Sequence, residues 1–284
     1  MLFTKSANKH PLAAGTTGLA NCWLLAFRSP DMHIQFTELA RQYGPIYKFW
    51  LGNKLCFVIS SPSLIKEIVR DHDTIFANRD CTVAGRIASY NRNDIAFCPY
   101  GSSWRTREKI FVHDMLSNSS LDATFNLRKD EVRKGIRNIY TKINTPVKIH
   151  ELAFGISLNA IMSMVWGNTI EGERKEKIVA AFSSLVTRSF DLLGKPNVSD
   201  YFPVLARFDI QGVEKEMSNI MQRVDEIIED IISERSKISS GKIIEDINKN
   251  GGRVDFLQML MELSERQDVK TAIGKTQIKA LITG

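Results

Sequence analysis

Residues 151–166, ELAFGISLNAIMSMVW, constrain the fold more than any other part of the sequence. After Glu151 the segment carries no charged side chain, and a helix drawn through it is apolar on almost every side. A helix of that kind is stable only where other segments surround it. The sequence therefore predicts a helix buried on most sides, inside a fold that supplies further helices to enclose it.

Amphipathic helices are predicted on both sides of this segment, because apolar residues recur there at helical spacing. They cover residues 31–43, 63–71, 102–115, 120–142, 173–193 and 212–238, and two more begin at Asp255 and near Thr276. Residues 239–252 are polar and predict a mobile linker, while residues 147–149 predict a short strand.

Two β-rich runs, Ile46–Leu51 and Lys54–Ser60, flank the turn signal Gly52-Asn53 and predict a β-hairpin. Residues 72–101 are rich in Asn, Arg, Asp and Gly and predict a long irregular connection, a kind of segment that is often functional. The predicted fold class is mainly α, with a small antiparallel β-sheet near the N-terminus.

The charge pattern narrows the classes of partner. The chain has a formal net charge of +6, with acidic and basic residues interspersed along most of its length. The basic residues form no single stripe and no nucleic-acid motif is recognisable, so we expect no nucleic-acid partner. A mixed, solvated surface is the simplest interpretation, and weak attraction to acidic lipids or to an acidic protein is the alternative.

The four cysteines, Cys22, Cys56, Cys81 and Cys98, show no C-x-x-C spacing and no histidine at metal-site distance. Such usage argues against zinc and against a disulfide framework, and it favours a reducing compartment. The first residues are too few and too polar for a signal peptide, and no apolar stretch near the N-terminus reaches the roughly 20 residues of a bilayer span. We therefore expect no metal site and no membrane anchor.

Four segments resemble the plant microsomal cytochrome P-450 family. They are Phe76-Ala77-Asn78-Arg79-Asp80, Pro99-Tyr100-Gly101-Ser102-Ser103-Trp104-Arg105, LLGKPNVSDYFPVLARFDIQGVEKEM at residues 192–217, and the closing TQIKALITG. The segment 192–217 resembles the branch that oxidises terpenoids and flavonoids. The resemblance implies that residues 31–284 form the N-terminal part of a single, incomplete cytochrome P-450 domain, truncated at the start of the long helix that crosses the haem. Residues 1–30 are then a degenerate hinge, poorer in proline than the family pattern.

The resemblance also implies a function. Family members bind haem through a cysteine thiolate, take electrons from a flavoprotein reductase at the cytosolic face of the endoplasmic reticulum membrane, and insert an oxygen atom into a small hydrophobic plant metabolite. None of the four cysteines lies in the glycine-rich, phenylalanine-containing loop of the family, so we expect this chain to be inactive by itself, with no catalytic residue assigned, and cytoplasmic without an anchor. The alternatives are a non-catalytic interaction protein that keeps part of the fold and a basic helical adaptor unrelated to haem.

Trp104 is the residue for which the resemblance implies a cofactor role, since the family places this tryptophan, and an arginine one turn later, beside a haem propionate. The arginine position is occupied by Glu108 here, which would repel a propionate. The cofactor-binding candidates are therefore Trp104 with Arg105, Arg107 or Lys109. The alternative for Trp104 is core packing with its N–H bonded locally.

A set of candidate pocket residues matches, by position, family segments that contact the substrate. It comprises Arg79, Val83, Ile87, Phe97, Phe190, Leu193, Tyr201, Phe202 and Phe208. Their apolar and aromatic side chains would suit an apolar ligand. Each aromatic residue could instead pack the joint between two helices, and Arg79 could instead fix its loop through hydrogen bonds.

Overall fold

The computed structural model describes residues 31–167, 172–249, 255–265 and 273–283. Within them the chain is mainly helical, with one two-stranded antiparallel sheet, as predicted. The predicted hinge at residues 1–30, which includes Cys22, lies outside this described part.

The elements follow the predicted order. The strands are β1 (Ile46–Leu51) and β2 (Lys54–Ile59), and the helices are α1 (Met32–Tyr43), α2 (Pro62–Lys66), α3 (Asp73–Phe76), α4 (Val83–Ala88), α5 (Ser102–Lys109), α6 (Asn118–Ala123), α7 (Phe125–Tyr140), α8 (Ile149–Trp166), α9 (Gly172–Gly194), α10 (Val198–Tyr201), α11 (Val213–Lys249), α12 (Phe256–Glu265) and α13 (Lys275–Thr283). The helices α2 and α5 continue as π-helical turns, Glu67–Asp71 and Ile110–Met115, and a 3-10 helix covers Pro203–Phe208.

The hairpin packs on α1 and forms a small core of its own around Tyr47, Phe49 and Leu51. Its tip is fixed to α10, because the Asn53 amide donates to the Tyr201 carbonyl at 2.9 Å. Gly52 is required there, since its φ of 60° is left-handed and a Cβ atom would lie 2.8 Å from the Cβ of Tyr201. The hairpin thereby touches the segment 197–208, which is distant in sequence.

The main core forms along one face of α11. Buried apolar residues recur on this helix every three or four positions and lie in one cluster with residues of α4, α9, α12 and α13. They are Val213, Met217, Ile220, Val224, Ile228 and Ile231. The helix α11 is therefore the element against which the predicted pocket segments are assembled.

The predicted burial of the apolar helix on most sides is wrong for the described residues. Only its C-terminal part, Met162–Trp166, is buried, and the helices α7, α9 and α12 contact α8. Ile149, Phe154 and Ile161 are 67%, 40% and 52% exposed. The elements in contact with α8 enclose one side and one end, so the other side stays open.

A second set of exposed apolar residues runs along α7 and the turn after it. Its exposed members are Phe125, Val132, Ile136, Ile139, Tyr140 and Ile143. Of the described helices, α8 is long and apolar enough to cross a membrane by length and composition. Core helices of soluble proteins meet the same criterion of length and composition.

Three further local predictions are corrected. Residues 147–148 are extended without pairing and α8 already begins at Ile149, so no strand forms there. The predicted linker continues α11 as far as Lys249. The connection 72–101 contains the short helices α3 and α4. Thr82 caps α4, since its side chain accepts a hydrogen bond from the Gly85 amide.

The contact between α7 and α8 generates a prediction about two helical glycines. A Cβ atom on Gly135 would lie 2.8 Å from Cγ1 of Ile156, whereas one on Gly155 would meet no atom within 4 Å. Gly155→Ala is expected to stabilise the chain by about 0.5–1 kcal/mol through helix propensity. Gly135→Ala gains the same helix propensity, but the added methyl group overpacks the contact with Ile156, which costs about 1–3 kcal/mol. The net effect should be a destabilisation of about 1 kcal/mol. Urea-unfolding midpoints compare the two variants, and equal stabilisation by both would contradict the close approach of the helices.

Candidate functional site

The Arg107 guanidinium organises the loop that leads into α5. The arginine is 6% exposed, and its Nε and Nη2 donate to the carbonyl oxygen and Oδ1 of Asn93 at 2.8 and 3.1 Å. Its Nη1 donates to the Ser103 carbonyl at 2.8 Å and to Sγ of Cys98 at 3.4 Å. These bonds compensate the burial of the charge, so Arg107 acts here as a loop-fixing residue.

Trp104 lies one turn before Arg107 and is partly buried. Its indole N–H donates to the Ile95 carbonyl at 3.0 Å, and its ring lies 5.4 Å from the ring of Tyr100. This geometry matches the local-packing alternative stated for Trp104. The role of Trp104 beside a haem propionate stays a prediction. It requires the indole N–H to donate to the propionate carboxylate in place of the Ile95 carbonyl.

Arg105 and Lys109 project from α5 into solvent. Nη2 of Arg105 donates to the Tyr100 hydroxyl at 3.1 Å, and this hydrogen bond raises the pKa of the guanidinium. Glu108, at the position of the family's arginine, is partly exposed beside them. The accessible cations of α5 are thus Arg105 and Lys109, whereas Arg107 is already bonded.

Some predicted pocket residues are brought together at the start of α4. The Val83 amide donates to Oδ1 of Asp200 at 2.6 Å, which ties α4 to α10. The pKa of Asp200 is raised by burial. The Phe97 ring packs on Gly85, and a Cβ atom there would lie 2.9 Å from the ring. Val83, Phe97 and Tyr201 therefore belong to neighbouring parts of one region.

The other predicted pocket residues lie in different surroundings. Ile87 and Leu193 pack against the main core, and Phe202 is partly exposed. Arg79 is exposed, and Phe190 and Phe208 are 63% and 60% exposed, with the Arg207 guanidinium 4.6 Å from the Phe208 ring. These three exposed residues enclose no ligand space in the described part of the chain.

A cavity of about 460 Å³ opens at the end of α7, away from these residues. Its walls include Ile136, Ile139, Tyr140 and Ile143, so it belongs to the exposed apolar residues of α7 and the turn after it. None of the predicted pocket residues lines it.

Several polar residues of this region were missed by sequence reasoning. Asp200 anchors α4, and Asn197 is 1% exposed with its Nδ2 unbonded while its Oδ1 caps α10. Asp94 is buried, which raises the pKa of its carboxyl group, and its Oδ1 accepts from the Phe97 amide at 2.8 Å. Asn197 could have been found from its N-cap position, whereas nothing local distinguishes Asp94 or Asp200 from ordinary loop acids.

Comparison with known proteins identifies the family of the chain. The cytochrome P-450 family profile matches residues 15–284, so the chain belongs to the cytochrome P-450 family. Its curated relatives include plant enzymes, which confirms the predicted plant branch.

Two curated relatives illustrate the match. Premnaspirodiene oxygenase of Hyoscyamus muticus is 31% identical over 252 residues, which cover 88% of this chain and 48% of the relative. Isoflavone 3'-hydroxylase of Medicago truncatula is 29% identical over 250 residues, which cover 83% of this chain and 47% of the relative. The chain thus spans about half the length of the curated relatives it matches.

The fold agrees with solved structures of the family. A zebrafish cytochrome P-450 solved with progesterone superposes with a TM-score of 0.64 at 15% identity, over 89% of this chain and 54% of that structure. At this identity the match shows the fold alone, and it confirms the predicted fold class.

The three described cysteines each make local hydrogen bonds. The thiols of Cys56, Cys81 and Cys98 each donate to a nearby backbone carbonyl, at 3.8, 3.6 and 3.6 Å. Burial raises the pKa of Cys56 and of Cys81, which favours the thiol over the thiolate that haem iron requires. Within the described ranges, no cluster of three His, Cys, Asp or Glu side chains could hold a metal ion either.

The site generates a prediction that separates two of the candidate arginines. Arg107→Lys should lower the free energy of unfolding by about 2–3 kcal/mol, because a lysine leaves the buried oxygens of Asn93 and Ser103 incompletely bonded. The same change at exposed Arg105 should leave the free energy of unfolding nearly unchanged. Urea denaturation of both variants measures the difference, and equal stability would contradict the loop-fixing role of Arg107.

Proposed function

We propose that this chain is the N-terminal half of a haem-thiolate monooxygenase that oxidises a small hydrophobic plant metabolite. The observation that carries the proposal is the family match over residues 15–284 together with coverage of about half of each relative. The 284 residues expressed by themselves are then inactive, because the iron-ligating cysteine is supplied by a part of the fold that they do not contain.

The open side of α7 and α8 supports this division. Apolar residues as exposed as Ile149 and Ile136, at 67% and 59%, are unfavourable in water over so extended a patch. The remaining half of the fold would cover them, and the match covers 54% of the solved structure that shares the fold, so the rest of that structure lies beyond the matched part. The patch is thus the seam between the two halves.

The substrate class follows from the relatives and from the pocket candidates. Premnaspirodiene oxygenase and isoflavone 3'-hydroxylase are named for a terpenoid and a flavonoid substrate, respectively. Val83, Phe97 and Tyr201 would supply an apolar and aromatic wall for a ligand of that kind. Arg79, Ile87, Phe190, Leu193, Phe202 and Phe208 stay candidates for the same pocket.

The cofactor and partners complete the proposal. Haem supplies the oxygen-activating chemistry, with Trp104, Arg105, Arg107 and Lys109 as candidates for contact with its carboxylate edge. A flavoprotein reductase supplies the electrons, at the cytosolic face of the endoplasmic reticulum membrane.

A non-catalytic interaction protein is the second candidate, and one observation favours it. The same apolar seam would bind another protein if the 284 residues act as a separate chain. Purification as a stoichiometric complex with an intact relative that contributes all bound haem would favour this candidate over the first.

The iron-ligand assignment is tested by absorbance. The 284-residue chain, given haem and dithionite under carbon monoxide, should show no thiolate-type Soret band. A fusion of residues 31–284 to the C-terminal half of premnaspirodiene oxygenase should show one, and serine in place of the cysteine in its haem loop should abolish it. A band from the 284-residue chain would contradict the assignment, and a compact fusion without the band would contradict the proposed function.

The same fusion tests Trp104. If its indole donates to a haem propionate, Trp104→Phe should weaken haem retention roughly tenfold, as expected for the loss of a hydrogen bond to a charged group. Trp50→Phe is the matched control, because Trp50 is 56% exposed on the hairpin. Haem transfer to apomyoglobin gives the loss rate, and equal rates for both variants would assign the Trp104 N–H to Ile95 alone.

A further inference from the structure

A buried lysine links the last described helix to α11. Lys279 is 8% exposed and lies among the buried residues Ile278, Ala280 and Leu281 of α13. A buried ammonium group is costly unless it is paired. Its Nζ lies 3.0 Å from Oδ1 of Asp225 and 2.7 Å from Oε1 of Glu229, two carboxylates one turn apart on α11.

Asp225 also holds a residue from a distant part of the chain. The Tyr90 hydroxyl donates to the same Oδ1 at 2.7 Å, across 135 residues of sequence. Burial, and then this hydrogen bond, raise the pKa of Tyr90, so the hydroxyl remains a donor. One carboxylate therefore joins the turn after α4, the helix α11 and the helix α13.

The turn that carries Tyr90 has an unfavourable backbone conformation. Tyr90, Asn91 and Arg92 have φ angles of 50°, 60° and 66°, in the left-handed region that non-glycine residues rarely adopt. Such a stretch persists only where surrounding contacts hold it. Local hydrogen bonds hold its ends. The Asn91 amide donates to the Arg86 carbonyl at 2.8 Å, and Nε of Arg92 donates to the Phe97 carbonyl at 2.9 Å.

The position of the turn decides where the candidate pocket wall lies. The helix α4, with Val83 and Ile87, precedes the turn, and Phe97 follows it and folds back onto Gly85. Among the described contacts of the turn, Tyr90–Asp225 is the side-chain hydrogen bond that reaches α11.

We propose that Asp225 is the anchor of the pocket wall, with Tyr90 and Lys279 as positioning residues that hold the segment 83–97 against α11 and α13. The description of this segment as a pocket wall rests on the proposed function, whereas the anchoring does not. Loss of the Tyr90 hydroxyl removes the hydrogen bond that ties the turn to α11. Loss of the Lys279 charge leaves Asp225 without its cation and leaves Glu229 with Lys275 alone, 3.4 Å away.

Hydrogen exchange of the 284-residue chain, followed by mass spectrometry, tests the anchor without haem or substrate. Tyr90→Phe removes one oxygen atom and should make the amides of residues 89–97 exchange roughly three- to tenfold faster, as expected for local opening. Exchange in the hairpin, residues 46–59, should not change. Tyr140→Phe is the matched control, because Tyr140 is 73% exposed on α7.

Two substitutions at Asp225 separate hydrogen bonding from charge. Asp225→Asn keeps an oxygen that can accept from Tyr90 and should accelerate exchange of residues 89–97 less than Asp225→Leu, which removes the acceptor. The inference is overturned if Tyr90→Phe leaves exchange of residues 89–97 unchanged, or if it accelerates the hairpin equally, since the second result indicates global destabilisation. Faster local exchange together with a fusion that lacks the thiolate band would overturn the proposed function and keep the anchor.

Discussion

The packing of helices onto one face of α11 is the interaction on which the rest of the structure depends. Apolar residues from Val213 to Ile231 recur along this face and are almost completely buried. The helices α4 and α9 pack on it directly, and the same cluster extends into α12 and α13. Since the segments that resemble the family's substrate contacts lie on α4, α9 and α10, the core along α11 also determines where a pocket can form.

Charged groups fix the positions of loops around this apolar face. Arg107 fixes the loop before α5 through bonds to Asn93 and Ser103, and Asp225 joins Tyr90 to Lys279. Each group is partly or fully buried, so each position tolerates its charge only while the hydrogen bonds persist. These polar contacts specify loop positions that apolar packing alone leaves undetermined.

The open side of α7 and α8 has the opposite character. Its side chains have the composition of a core and the exposure of a surface, with Ile149 and Tyr140 at 67% and 73%. A chain that spans about half of its relatives would be expected to show such a seam where the other half packs. The prediction that the helix at 151–166 is buried on most sides was wrong for the described residues, because periodicity indicates what a helix requires and not which elements pack against it.

The sequence by itself determined most of the long helices, the hairpin at Gly52-Asn53 and the family, because these depend on local periodicity, turn chemistry and motifs such as Pro99–Arg105. It could not place Asp200 under Val83, join Tyr90 to Asp225, or turn Arg107 inward while Arg105 faces solvent. These contacts join residues far apart in the chain or differ only by rotation about a helix axis. Only the tertiary structure decided them, because the pairing of buried polar groups depends on which elements meet.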